Sequence, residues 1–194
     1  MTHLVTELLA LSLSPHLEKL NQFSTLFLQW NRRINLSAAR SPEDVEAHIR
    51  DCLHAIPHLH ACPRILDVGS GGGFPVVVAA ICLPSLSFTA LEPIHKKHAF
   101  LRTAARELDL VNLDPLSVRV EDHATRDYDA ATARAVFDLR EWLLLGLQLV
   151  RPGGLVIGFE AVPRDDLPSD DLPIARHAYS LDGKPRSIVT LRRP

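Results

Sequence analysis

Apolar residues recur at steps of three and four from residue 17 to residue 34. Leu17, Leu20, Phe23, Phe27, Trp30 and Ile34 fall on one stripe. That spacing predicts an amphipathic helix, and the ordinary meaning of its aromatic stripe is core packing. Ser14 and Pro15 read as its start, with serine as cap and proline at the first helical position. Leu4, Leu8 and Leu11 make a shorter stripe upstream. Ser41-Pro42-Glu43-Asp44 is a second start, with an acid three residues after the cap, and predicts a helix over about 42–55. Pro57 and Pro63 bracket a linker. Strand alternation is absent up to this point, so residues 1–60 are read as an N-terminal helical extension.

From Arg64 the pattern changes. Short apolar runs at 65–68, 86–91, 116–120, 129–133 and 155–159 predict strands. Residues 75–83, 95–108 and 139–150 between them predict helices. Strands that alternate with helices specify an α/β fold with a parallel sheet covered on both faces. Pro152-Gly153-Gly154 reads as a tight turn and 161–173 as a loop. Two final strand candidates, 175–181 and 187–192, have no helix between them and predict an antiparallel hairpin at one edge of the sheet. Residues 61–194 are thus expected to form the main sheet domain, compact with the helical extension.

Composition narrows the class. Of 194 residues, 46% are hydrophobic and 23% charged, ordinary globular usage. The net charge of −2 excludes a chain that grips nucleic acid by bulk charge, so RNA contact requires a local basic face. Cys52, Cys62 and Cys82 fit neither a zinc pattern nor a disulfide framework and read as free thiols of a cytoplasmic protein. No basic leader is seen, and the longest apolar run, 76–83, is far below the roughly 20 residues that span a bilayer, so no membrane association is expected.

The chemistry concentrates at Arg64-Ile65-Leu66-Asp67-Val68-Gly69-Ser70-Gly71-Gly72-Gly73-Phe74. A buried strand breaks into a glycine loop and enters a helix, at the sheet end where such folds bind nucleotide-like ligands. A dinucleotide loop, G-x-G-x-x-G, needs its third glycine at position 74, where this chain has Phe. A phosphate loop needs a closing Gly-Lys-Ser/Thr, which is missing. The remaining pattern, Asp67-x-Gly69-x-Gly71-x-Gly73, resembles the first motif of S-adenosylmethionine-dependent methyltransferases with a Rossmann-like (class I) sheet. A carboxylate at Asp67 suits the cofactor's ammonium group. Glu92, 23 residues after Gly69 and at the end of the second strand, can accept from both ribose hydroxyls. Glu121, expected to end the third strand, would border the adenine. Each acid alone reads as a solvated carboxylate; three at successive strand ends favour a cofactor site.

The acceptor leaves a fainter mark. After the fourth strand stands Ala133-Arg134-Ala135-Val136-Phe137, without the Asn/Asp-Pro-Pro-aromatic signature of exocyclic-amine methylation and without a cysteine nucleophile. An acceptor that already presents a lone pair, such as guanine N7, fits; many small molecules share the property.

Several segments together resemble one family. Trp30-Asn31-Arg32-Arg33-Ile34-Asn35-Leu36-Ser37 resembles the Trp-Asn-x-x-x-Asn-Leu-Thr segment of the bacterial ribosomal RNA small subunit methyltransferase G family, also called glucose-inhibited division protein B. His48-Ile49-Arg50-Asp51-Cys52 resembles its His-x-x-Asp-Ser. Asp67 to Pro75 resembles its glycine loop, Arg119-Val120-Glu121-Asp122 its Arg-Val-Glu-Glu, and Ala133-Arg134-Ala135 its Ser-Arg-Ala. The resemblance implies methylation of guanine N7 in small-subunit (16S) ribosomal RNA, with S-adenosyl-L-methionine as cofactor and 16S RNA or the small subunit as partner. It places Gly69, Phe74, Val120, Glu121 and Arg134 on cofactor-binding positions; the reading of the residues adds Asp67, Gly71 and Glu92. Asn31, Arg32, Arg33, Asn35, His48, Asp51 and Arg134 are the RNA candidates, Arg134 serving either the methionine carboxylate or a phosphate. No catalytic side chain is singled out, and a monomer is expected. Two departures stand out. Glu92-Pro93 replaces an acid followed by Ser, and Glu160 stands where the family usually has Lys. Glu160 keeps open a catalytically silent cofactor-binding protein, beside a small-molecule methyltransferase.

Basic residues cluster at His95–Arg106, around Arg32, Arg33, Arg40 and Arg50, and at Lys184, Arg186, Arg192 and Arg193. Such clusters are commonly solvated faces; lining one rim, they would form a phosphate footprint. His54, His58 and His60 lie near Cys52, but Pro57 breaks their spacing, and no metal is expected.

Overall fold

A computed structural model describes residues 15–168 and 172–194. The Leu4, Leu8 and Leu11 stripe, and the Ser14 cap, lie outside the described residues. Helix α1 (Leu17–Ile34) buries Leu20, Phe23 and Phe27, the stripe expected from its spacing, and ends at Asn35 in a left-handed conformation with φ of 55°. Helix α2 (Pro42–Leu53) begins with a full capping box. The Ser41 hydroxyl accepts from the Asp44 amide, and the Asp44 carboxylate accepts from the Ser41 amide. The expected linker folds into a single helical turn, α3 (Ile56–Leu59), because Ile56 and Leu59 are both buried.

The sheet follows in alternation with helices: β1 (Arg64–Val68), α4 (Val76–Cys82), β2 (Ser87–Leu91), α5 (His95–Glu107), β3 (Leu113–Leu116), β4 (Tyr128–Ala133), α6 (Leu139–Leu147), β5 (Val150–Glu160), β6 (Ile174–Leu181) and β7 (Lys184–Arg192). Its order is β3-β2-β1-β4-β5-β7-β6. The first five strands run parallel, while β7 runs antiparallel to β5 and pairs with β6 as a hairpin. Asp182 (φ 51°) and Gly183 (φ 75°) form the hairpin turn, which needs two left-handed residues in succession. The strand order reverses between β1 and β4, and the glycine loop leaves the sheet at that reversal.

Alternation along the strands divides the core. Ile65, Phe88, Ala130, Ile157 and Ile188 face α1, α2, α4 and α5. Leu66, Val68, Ala131, Val156 and Val189 face Leu139, Trp142 and Leu143 of α6. Phe23, Phe27, Phe74 and Phe100 pack ring to ring, with centroids between 5.2 and 6.5 Å apart, so α1 shares the core of the sheet.

Three strands depart from expectation: β7 begins at Lys184, three residues early, because Asp182 and Gly183 alone make the turn. Strand β3 ends at Leu116 instead of beginning there. The Asn112 amide donates to the carbonyls of Ala80, Leu83 and Leu86, which sets the strand's entry, and β2 turns away after Leu91. Val120 and Glu121 therefore lie in a turn after the strand, with Val120 buried and Glu121 exposed. The fifth strand starts at Val150, where helix was expected. The Pro152-Gly153-Gly154 turn is an irregularity inside the strand: Tyr128 pairs with Val150, but Ala130 pairs with Leu155.

The two tryptophans report on opposite sides of the sheet: Trp30 against Phe100, Trp142 in the α6 core with its indole donating to the Ile157 carbonyl at 2.8 Å. Trp30→Phe and Trp142→Phe each leave one reporter. Urea unfolding followed by fluorescence should give coincident midpoints, after allowing for each variant's stability by circular dichroism. An early transition seen only by Trp30 would separate the helices from the sheet.

Candidate functional site

The site grows from the end of β1. Asp67 is 1% exposed. Its Oδ1 accepts from the Thr132 hydroxyl on β4 at 2.6 Å, while Oδ2 is buried without a hydrogen-bond partner. Burial pushes the carboxyl up to about 6, against the smaller opposing effects of hydrogen bonds and Arg134. The loop beyond it uses left-handed backbone at Gly69, Gly71 and Gly73. A Cβ on Gly69 would lie 2.5 Å from Val136, and one on Gly72 would lie 2.7 Å from the Phe27 ring. The loop is thus held between α1 and the segment after β4.

Glu92, 3% exposed, turns back over the loop. One carboxylate oxygen accepts from the Gly71 amide at 2.8 Å and the other from the Ile94 amide at 2.9 Å. A carboxylate at the end of β2 is therefore fixed against the loop, with lone pairs remaining on both oxygens.

Phe74 turns its ring inward, onto Phe23 and Phe27 at 5.2 Å each. Its other neighbours carry charge or polarity. His48 packs on it at 5.2 Å, and the Arg134 guanidinium lies 5.2 Å from the ring centroid and 6.0 Å from that of Phe159. Arg134 donates to Asp51 Oδ2 at 2.9 Å, with both side chains 15% exposed. Tyr179 donates to Asp51 Oδ1 at 2.6 Å. Burial and then the charge of Arg134 hold His48 below its ordinary range. His48, Asp51, Phe74 and Arg134, distant in sequence, are brought together.

The other RNA candidates separate. Asn31 is a correction: it is 6% exposed, its amide donates to the Ser37 and Ala39 carbonyls, and its oxygen accepts from the Ser37 amide. It braces the loop after α1, with its amide committed to that loop. Asn35 is exposed, its side-chain oxygen accepting from Arg40. Arg32 and Arg33 are exposed, whereas Arg50 is tied to Asp182 at 2.7 Å. Among the described residues no group of three or more His, Cys, Asp or Glu could hold a metal ion. His54 stacks on Tyr179 and His58 lies against His177.

Glu160 has a side chain only 1% exposed, gripped by Arg176 through two bonds of 2.9 and 3.0 Å and by the Arg164 amide at 3.0 Å. The reversed charge is neutralised inside the protein. Three participants escaped the sequence reading. Thr132 showed only as a polar residue in an apolar strand; Arg176 and Tyr179, on an edge strand, gave no signal.

The family profile described as rRNA small subunit methyltransferase G matches residues 16–177. The chain belongs to that family. Relatives include the ribosomal RNA small subunit methyltransferases G of Azoarcus sp., 36% identical over 85% of this chain and 81% of the relative, and of Aromatoleum aromaticum, 35% identical over 95% and 94%. Among solved structures, an O-methyltransferase of Streptomyces achromogenes in complex with SAM matches with a TM-score of 0.61 at 17% identity, over 89% of this chain and 90% of that one. An O-methyltransferase from Bacillus cereus in complex with SAH matches with a TM-score of 0.60 at 17% identity, over 89% and 91%. These two likenesses bear on the fold, which is the class I methyltransferase sheet with N-terminal helices.

A member of the methyltransferase G family is an S-adenosylmethionine-dependent enzyme, and the residues present suit that cofactor. The unpartnered Oδ2 of Asp67 is an acceptor without a donor, as an ammonium group requires. A Cβ on Gly71 would meet nothing closer than 3.7 Å, so this glycine leaves room for a ligand at the loop's surface.

An ionised Asp67 opposes folding. Its carboxyl is raised above the unfolded value near 4, so stability is greatest below that value and falls as pH climbs to about 6, by on the order of 3 kcal/mol. Cofactor affinity should move the other way, rising with pH through about 6 as the carboxylate forms. Asp67→Asn should raise the thermal midpoint of the ligand-free protein at pH 8 by a few degrees, roughly what 1 kcal/mol gives in a chain of this size. It should weaken cofactor binding, read by calorimetry, by at least about tenfold, the loss of one charge-assisted contact.

Proposed function

We propose that the chain transfers the methyl group of S-adenosylmethionine to N7 of a guanine in 16S ribosomal RNA, as free RNA or within the small subunit. Family membership carries the RNA class. The choice of N7 rests on which groups are free to act. All three thiols are raised by burial, Cys52 and Cys82 to about 12, so none is poised to attack a pyrimidine carbon. The carboxylates around the end of β4 and β5 are committed. Asp138 caps α6 and pairs with Arg164, and Glu160 is held by Arg176. Guanine N7 requires no base, because its lone pair is available at neutral pH.

When bound, the cofactor would supply an activated methyl group whose bond to sulfur breaks as the bond to nitrogen forms. The rest is positioning. Asp67 would take the ammonium group, Arg134 the carboxylate at the same end, and Glu92 the ribose hydroxyls; Gly69, Gly71 and Phe74 would supply the cradle, with Val120 and Glu121 at the adenine side. A cavity of about 400 Å³ lies beside this cradle, with Val136, Phe137, Trp142 and Phe159 among its walls. Val136 touches both the cavity and Gly69, which suits an acceptor base entering from the β4–β5 side. Asp138, Glu160 and Arg164 complete the cavity's walls, so it offers an apolar side for a base and a polar side for its edge. Exposed Arg32 and Arg33 would meet phosphates outside the cavity.

Deletion of the coding sequence should remove one N7-methylguanine from 16S RNA digested to nucleosides and weighed by mass spectrometry. The purified protein should restore it on RNA or subunits from the deletion strain. An undiminished N7-methylguanine content would refute the assignment. Arg32→Glu with Arg33→Glu should raise KM for RNA by about tenfold or more and leave cofactor affinity unchanged, through loss of phosphate attraction.

A further inference from the structure

Arg134 has a guanidinium with five donor hydrogens, and Asp51 has two oxygens that could take two of them in a side-by-side fork. The fork does not form. Only Nη1 of Arg134 reaches the carboxylate, at Oδ2. The other oxygen, Oδ1, accepts from the Tyr179 hydroxyl at 2.6 Å. Among the described residues, the Arg134 guanidinium makes no other hydrogen bond, and it lies over the Phe74 and Phe159 rings.

Tyr179 is itself well held. It sits on β6 opposite Arg186 of β7, half-buried, and the ring of His54, the residue that ends α2, stacks on it with centroids 3.8 Å apart and planes 20° from parallel. Burial and the neighbouring Asp51 carboxylate hold the phenol above its ordinary range, so it remains a donor. The hydroxyl is thus fixed by the C-terminal hairpin and by α2 at once. It lies two residues beyond the segment matched by the family profile.

We propose that Tyr179 is a positioning residue that occupies one oxygen of Asp51, so that Arg134 is anchored through one nitrogen and keeps its remaining donors for an anionic group of the ligand. Asp51 fixes the direction of the guanidinium; Tyr179 limits how much of it Asp51 consumes. This inference rests on the assignment of Arg134 to the cofactor's carboxylate.

The test is cofactor affinity, measured by calorimetry on the full chain in a cycle of variants. Arg134→Ala alone tests the assignment itself and should weaken binding by at least tenfold. Tyr179→Phe retains the ring and its stacking on His54 but frees Oδ1, which should then chelate Arg134. Affinity should fall three- to tenfold, with the thermal midpoint within a few degrees of the parent protein. Adding Asp51→Asn to Tyr179→Phe removes the competing carboxylate oxygen and should recover most of the loss. In the Arg134→Ala background, Tyr179→Phe should have no effect on affinity. An unchanged affinity in Tyr179→Phe, or the same loss with and without Arg134, would overturn the proposal. A normal affinity in Arg134→Ala would instead overturn the assignment of that residue to the cofactor.

Discussion

The glycine loop between β1 and α4 is held from two sides, and the rest of the site depends on that grip. On one side the Phe27 ring lies so close to Gly72 that a Cβ would stand 2.7 Å from it; on the other, Val136 leaves no room for a Cβ on Gly69. Glycine is required at these positions by packing as much as by backbone conformation. The same contacts make α1 part of the site's foundation. Phe74, which leaves the loop, turns its ring into the aromatic cluster of α1 and offers its outer face to Arg134 and His48. Apolar packing thereby fixes where the charged groups stand.

Charge is placed against its own solvation preference. Asp67 and Glu92 are both buried at the carboxyl ends of neighbouring strands. Glu92 recovers stability from two backbone amides, whereas Asp67 has one hydroxyl and one unsatisfied oxygen. A fold selected only for stability would not keep such a carboxylate. An acceptor left open beside a glycine loop suits a donor that arrives from solution.

Much of this was legible in the sequence because it depended on local rules. The capping box at Ser41, the stripe of α1, the strand–helix alternation and the glycine loop each follow from spacing that one element can satisfy alone. What escaped depended on partners far along the chain. The third strand ended early because β2 turned away from it, a pairing fact invisible in residues 116–120. Asn31 read as a candidate for RNA because its segment is distinctive, yet the amide is consumed by the Ser37 and Ala39 backbone. Glu160 read as a reversal of charge where the family usually has Lys, and Arg176, sixteen residues on, closes over it. Tyr179 stands 128 residues from Asp51, and nothing in its local pattern announces the contact.

The central claim is that the N-terminal helices set the shape of the cofactor cradle, and the most direct measurement is cofactor affinity after a change in α1 that lies outside the cradle. Phe27→Leu removes the ring edge facing Gly72 while keeping an apolar side chain, a large-to-small change whose cost is the lost transfer energy plus that of the cavity it leaves. With the fold verified by circular dichroism, calorimetry should show S-adenosylmethionine bound at least severalfold more weakly. Affinity equal to that of the parent protein would contradict the account.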